Sequence, residues 1–104
     1  MKITNLSDAK IKQTDNVNFD YGQIKKGSNT TFQLIIEETA PISFVKNRNC
    51  GCFTVKGSTE EGKVKLDLTY NSNLLGSFNK DVNIFYNQEG QEKRVTLKIK
   101  GNVR

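Results

Sequence analysis

The chain has 104 residues and a formal net charge of +5, and hydrophobic residues make up 35% of it. That suffices for one core of ordinary domain size, while the absence of histidine removes the usual general base for a Ser or Cys nucleophile. No apolar run approaches the roughly 20 residues that a membrane-spanning helix needs, and residues 1–8 lack the apolar stretch of a signal peptide.

Period-two alternation then runs along the chain. Val17, Phe19 and Tyr21 mark a short early strand. Lys26-Gly27-Ser28-Asn29 is a turn, and Phe32, Leu34 and Ile36 then point one way along the next strand. Pro41 opens the run Ile42-Ser43-Phe44-Val45 without breaking a ladder. Glu60-Glu61-Gly62 leads into the strand carrying Val64, Leu66, Leu68 and Tyr70. Asn71-Ser72-Asn73 leads to Gly76, and Val82, Ile84 and Tyr86 follow. Asn87-Gln88-Glu89-Gly90 closes a hairpin onto Val95, Leu97 and Ile99. No segment holds a helical period for three turns. The pattern predicts an all-β, immunoglobulin-like β-sandwich of about seven antiparallel strands. It forms one domain over residues 1–104, with 1–16 as an N-terminal arm or edge strand and 17–103 as the core.

Cys50-Gly51-Cys52 is the most unusual feature. Four readings stand: buried structural thiols, a metal site, a redox pair and an intermolecular disulfide. Zinc wants four ligands and only two thiols are present. In an extended strand the two Cα atoms would lie about 6.6 Å apart, so Gly51 must bend the chain for a bridge to close. Buried structural thiols are the favoured reading. No cofactor, metal or small-molecule substrate is expected, and no Gly-x-Gly-x-x-Gly or Walker loop is present. Glu37-Glu38 and Glu60-Glu61 are adjacent pairs that point to opposite strand faces, so neither converges on a substrate.

The thirteen lysines and three arginines are spread along the chain, which suits a solvated surface and protected strand edges. Without clustered Arg and stacking aromatics they argue against nucleic acid. The alternation leaves Ile35 and Phe85 facing outward. With Lys98 and Lys100 they are the candidate partner surface. The segments from Asp8 to Asn18 and from Val95 to Val103 are expected as contact strands for sheet extension.

The segment Asn18-Phe19-Asp20-Tyr21-Gly22-Gln23-Ile24-Lys25-Lys26-Gly27 resembles the Phe-x-Phe-Gly-x-Ile-x-x-Gly opening of a group of bacterial domains. Those domains are immunoglobulin-like, are related to the Hydin and major-sperm-protein domains, and have no known function. The Cys50-Gly51-Cys52-Phe53 loop is similar to their Cys-Gly-Cys-Thr, with Phe53 in place of Thr. Gly76-Ser77-Phe78-Asn79-Lys80-Asp81-Val82 and Gly101-Asn102-Val103 resemble two further motifs. The resemblance runs from about Val17 to Val103 and implies the sandwich fold. Family members usually follow an export signal, and none is visible here.

A leaderless Ig-like domain without an active site is expected to be a non-enzymatic structural protein that docks in many copies on a larger assembly. The leading expectation is an accessory (decoration) protein of a bacteriophage capsid or virion, located in the virion or host cytoplasm, with a virion protein as partner. The alternative is a bacterial envelope or cytoplasmic protein-binding module, periplasmic if a leader has been removed. The third is a thiol redox or metal protein at Cys50 and Cys52.

Overall fold

A computed structural model describes residues 1–6 and 11–104. Nine strands follow in order: β1 (Lys2–Asn5), β2 (Lys12–Gln13), β3 (Asn18–Ile24), β4 (Asn29–Glu37), β5 (Ile42–Arg48), β6 (Phe53–Glu60), β7 (Lys63–Asn71), β8 (Gly76–Gln88) and β9 (Gln91–Val103). They form two sheets, ordered β1-β4-β7-β6 and β2-β3-β9-β8-β5. The fold is an all-β sandwich, as the alternation predicts. The residues predicted to point inward are the ones that meet in its core. Leu34, Ile36, Val64, Leu66, Leu68, Val82, Ile84, Leu97 and Ile99 are fully buried. Their outward neighbours keep their polar groups in water, so each strand needs only one dry face.

Two details depart from about seven antiparallel strands. The described residues hold nine, because β1 and β2 edge one sheet each. One pairing is parallel: β3 runs alongside β9 with Phe19 opposite Ile99. The chain leaves the larger sheet after β3 and returns to it from the other layer, which brings β3 and β9 together in the same direction.

This topology also overturns one expectation about contact strands. The Val95–Val103 segment lies in β9, the central strand of its sheet, and both its edges are occupied by β3 and β8. It has no free ladder to offer a partner strand. Of the Asp8–Asn18 segment, residues 8–10 lie outside the described residues, and β2 is an edge strand pairing with β3.

The remaining edges, β5 and β6, close on each other along one side. The Phe44 N–H donates to Thr59 Oγ1 at 2.8 Å, and the Phe44 ring lies over Gly57. The register shifts between Phe44 and Lys46, so Val45 bulges outward and blunts the β5 edge. Two tight hairpins, at Glu61-Gly62 and Glu89-Gly90, place both central residues at positive φ. That is the turn geometry that matches strand twist, and it suits a Gly at the second position.

Five aromatic rings of the core cluster at the end away from the two tight hairpins. There Tyr21 contacts Phe32, Phe53, Tyr70 and Phe78, and Tyr70 stacks on Phe78 with centroids 3.9 Å apart. The Tyr21 hydroxyl donates to the Thr30 carbonyl at 3.2 Å. Burial pushes its pKa far up, so it stays a neutral donor.

A candidate interaction face at the disulfide end

β3, β5, β7 and β9 all run towards the aromatic end of the sandwich, so three connections and the segment after β9 meet there. The connections are residues 25–28, 49–52 and 72–75. Backbone bonds tie them into one surface. The Gly27 N–H donates to the Ser72 carbonyl at 2.8 Å, and the Lys26 N–H to the Arg104 carbonyl at 2.8 Å. The Asn71 N–H donates to the Cys52 carbonyl at 2.9 Å. The buried Ser72 hydroxyl donates to the Ser28 carbonyl, which satisfies a polar group that would otherwise be costly.

Cys50 and Cys52 form a disulfide here. Their Cα atoms are 5.3 Å apart, closer than an extended strand allows, because Gly51 takes φ +83° and turns the chain. Asn49 sets up the turn. Its Oδ1 accepts from the Gly51 N–H at 2.8 Å and from the Phe53 N–H at 3.3 Å. The expectation of two free structural thiols is therefore corrected: the pair is bridged within the chain. Bridged sulfurs are not thiolate ligands, and among the described residues no group of three or more His, Cys, Asp or Glu converges.

At the tip of the same end, Leu74 and Leu75 are 82% and 66% exposed. Lys25, Lys26 and Arg104 are exposed at the same end. No Asp or Glu occurs in residues 22–36, 39–59, 68–80 or 93–104, so every loop here is basic or neutral. The opposite end carries Glu37, Glu38, Glu60, Glu61, Glu89 and Glu92. The same end also carries Lys2, Lys63, Lys93 and Arg94, so it is mixed in sign, whereas the loops of the disulfide end hold no acidic side chain; the molecule is 43 Å long and 25 × 18 Å across.

The other sequence candidates lie elsewhere. Phe85, Lys98 and Lys100 share the outer face of the larger sheet. Phe85 is half-buried, with Lys46 Nζ 5.1 Å from its ring centroid. Lys98 stands in register with Asp81, and Lys100 with Asp20, so that face alternates in sign. Ile35 is half-buried on the outer face of the other sheet. The fold brings three of the four together and leaves Ile35 on the opposite side. Sequence reasoning passed over Leu74 and Leu75 because they lie between the turn signals Asn73 and Gly76. Two large apolar residues inside a turn, where no strand can bury them, are the signal that could have found them.

The geometry defines a class first: an Ig-like β-sandwich whose distinctive chemistry lies on its surface. The chain belongs to the family described as HYDIN/CFA65/VesB-like, Ig-like domain, which it matches over residues 9–102. Among solved structures it is similar to the Vibrio cholerae VesB protease, with a TM-score of 0.60 at 14% identity over 83% of this chain. At that identity the likeness is one of fold. The chain spans 30% of the VesB chain it matches. No curated protein sequence matches it significantly.

Proposed function

We propose that this protein is a non-catalytic docking module that attaches to a protein partner through its disulfide end. The observation that carries this reading is the Leu74-Leu75 tip, left in water on a hydrogen-bonded base at the same end as Lys25, Lys26 and Arg104, in loops that hold no Asp or Glu. Isolated exposed apolar residues are ordinary, but two adjacent leucines on a braced loop form an anchor for a pocket. The cations at the same end suit a partner rimmed with carboxylates and repel a basic one.

The setting we favour is a larger assembly that takes up many copies, with an accessory role on a bacteriophage capsid or virion as the leading case. The envelope alternative draws on two specific observations. The similar VesB chain is more than three times as long as the matched stretch, so a related sandwich there is one part of a larger protein. The disulfide also suits an oxidising compartment.

A photo-crosslinking residue at Leu74 in the native source tests the reading. The expected product joins this chain to one protein, and Leu74→Ser with Leu75→Ser lowers incorporation into the assembly. Burying a leucine contributes about 1.5–3 kcal/mol, so the pair should weaken binding by about a hundredfold or more. Normal incorporation of the double variant would sink it. Co-sedimentation of the crosslinked product with particles would select the virion setting, and recovery from the envelope fraction the alternative.

A further inference from the structure

We propose that the Cys50–Cys52 bridge is a reversible thiol–disulfide exchange site, whose reactant is the thiolate of a small thiol or of a protein cysteine. The inference goes beyond the docking reading and does not depend on it, since it concerns the two sulfurs and not the leucine tip. Ring size is the first support. The bridged residues are separated by two in sequence, and a cross-link between near neighbours removes little freedom from the unfolded chain. Coupling between folding and bridging is reciprocal, so a bridge that adds little to the fold gains equally little from it. A disulfide that fastens distant segments is locked in by the native state, and this one is not. Access is the second support. Cys50 is exposed, whereas Cys52 is half-buried and packs against the core. Arg48 is exposed two residues before Cys50, and residues 39–59 and 68–80 contain no Asp or Glu. An attacking thiolate therefore meets no carboxylate of these segments to repel it.

The third support is that the loop is held by more than its sulfurs. Asn49 Oδ1 accepts from the Gly51 and Phe53 N–H groups, the Asn71 N–H donates to the Cys52 carbonyl, and Asn71 Nδ2 donates to the Gly51 carbonyl at 3.3 Å. These bonds need no disulfide. They keep the reduced sulfurs neighbours, so that reclosure is an intramolecular step. The exchange runs as two displacements. An incoming thiolate attacks Cys50 Sγ, a new S–S bond forms there, the bond to Cys52 breaks, and Cys52 Sγ leaves as a thiolate. A second thiolate then attacks the incoming sulfur of the mixed disulfide and releases Cys50. Two thiols are oxidised to one disulfide, and the bridge takes up their two electrons. The two protons given up by the reacting thiols end on Cys50 and Cys52. The reverse sequence, with a disulfide such as oxidised glutathione as the oxidant, closes the bridge again.

Equilibration of the wild-type chain with reduced and oxidised glutathione, at neutral pH and without denaturant, tests the proposal. Free thiols are trapped with N-ethylmaleimide and the species are weighed by mass spectrometry. The same ratio of dithiol to disulfide should be reached from the oxidised and from the reduced chain, with the circular dichroism of the folded sandwich throughout. Two single variants then locate the attacked sulfur, Cys52→Ser leaving Cys50 free and Cys50→Ser leaving Cys52 free. With oxidised glutathione the Cys52→Ser chain should form its mixed disulfide about tenfold faster, as an exposed thiol does against a half-buried one. A wild-type bridge that opens only as the chain unfolds, a reduced chain that does not reclose, or a Cys52 that reacts as fast as Cys50 overturns the proposal. The Cys52→Ser chain in the native source identifies the reactant. A glutathione mass on Cys50 assigns a small thiol, and a protein adduct released by reductant assigns a protein cysteine. A Cys50 that stays free there overturns the site, and the docking reading stands or falls separately on the Leu74 crosslink.

Discussion

At the residue scale, the glycines near aromatic rings separate packing from mere proximity. A Cβ on Gly101 would lie 2.7 Å from two atoms of the Phe78 ring and 3.0 Å from Tyr21 Cβ. Phe78 is stacked on Tyr70 and flanked by Tyr21, so its ring has nowhere to go. Gly101→Ala should cost about 1–3 kcal/mol, the usual penalty for overpacking a tight core, read from urea unfolding. A Cβ on Gly57 would come closer still, 2.4 Å from the Phe44 ring. Phe44 is only half-buried at the sandwich rim and can swing outward, so Gly57→Ala should cost less. The opposite order would show that the rim is the stiffer site. The final Gly-x-Val motif thus has a physical reason that no strand propensity supplies: the aromatic cluster presses on bare backbone.

At the element scale, the question is what holds the 49–52 loop. The disulfide closes a ring of only three residues, and its stabilisation grows with the logarithm of loop length, so it should contribute about 1–2 kcal/mol. Asn49 and Asn71 also bind this loop, through side-chain bonds to the Gly51 N–H and the Gly51 carbonyl. Cys50→Ser with Cys52→Ser should therefore fold and lose about that much in chemical denaturation. Loss of the fold would make the bridge the loop's main support. The strands were legible because each buries one face, which writes a period of two into the sequence. The bridge was only one of several readings, because a regular strand holds the two Cα atoms near the limit for a disulfide and the φ that Gly51 adopts is decided by the fold. The place of β9 was equally hidden. Its alternation is the same whether it lies at an edge or in the middle, and only pairing with both β3 and β8 decides that.

At the scale of the whole molecule, the core is one continuous cluster that both sheets share. Leu97 sits on the central strand and is fully buried. Leu97→Ala should cost about 2–5 kcal/mol, the transfer term plus the cavity left behind. Unfolding should remain a single transition at every probe, since no part of the core stands apart. Separate transitions for the two sheets would refute one shared core. The surface follows a different rule. The net charge of +5 is unevenly spread: the loops of the disulfide end hold no Asp or Glu, while the other end mixes six glutamates with Lys2, Lys63, Lys93 and Arg94. The difference arises because all six glutamates lie in or near the connections of one end, while those of the other, with the segment after β9, hold two lysines, one arginine and several amides.

Alternation and turn residues determined the sandwich and its inward residues, because burying one face of a strand is a local demand that neighbouring residues record. Which strands pair, which edges remain open, and which loops meet at one end were decided only by the tertiary structure. Those relations join residues distant in the chain: Gly27 meets Ser72 and Lys26 meets Arg104, which brings the loop that carries Leu74 to the same end as both. Charge and apolar exposure act through distance in space, and distance in space is what folding supplies.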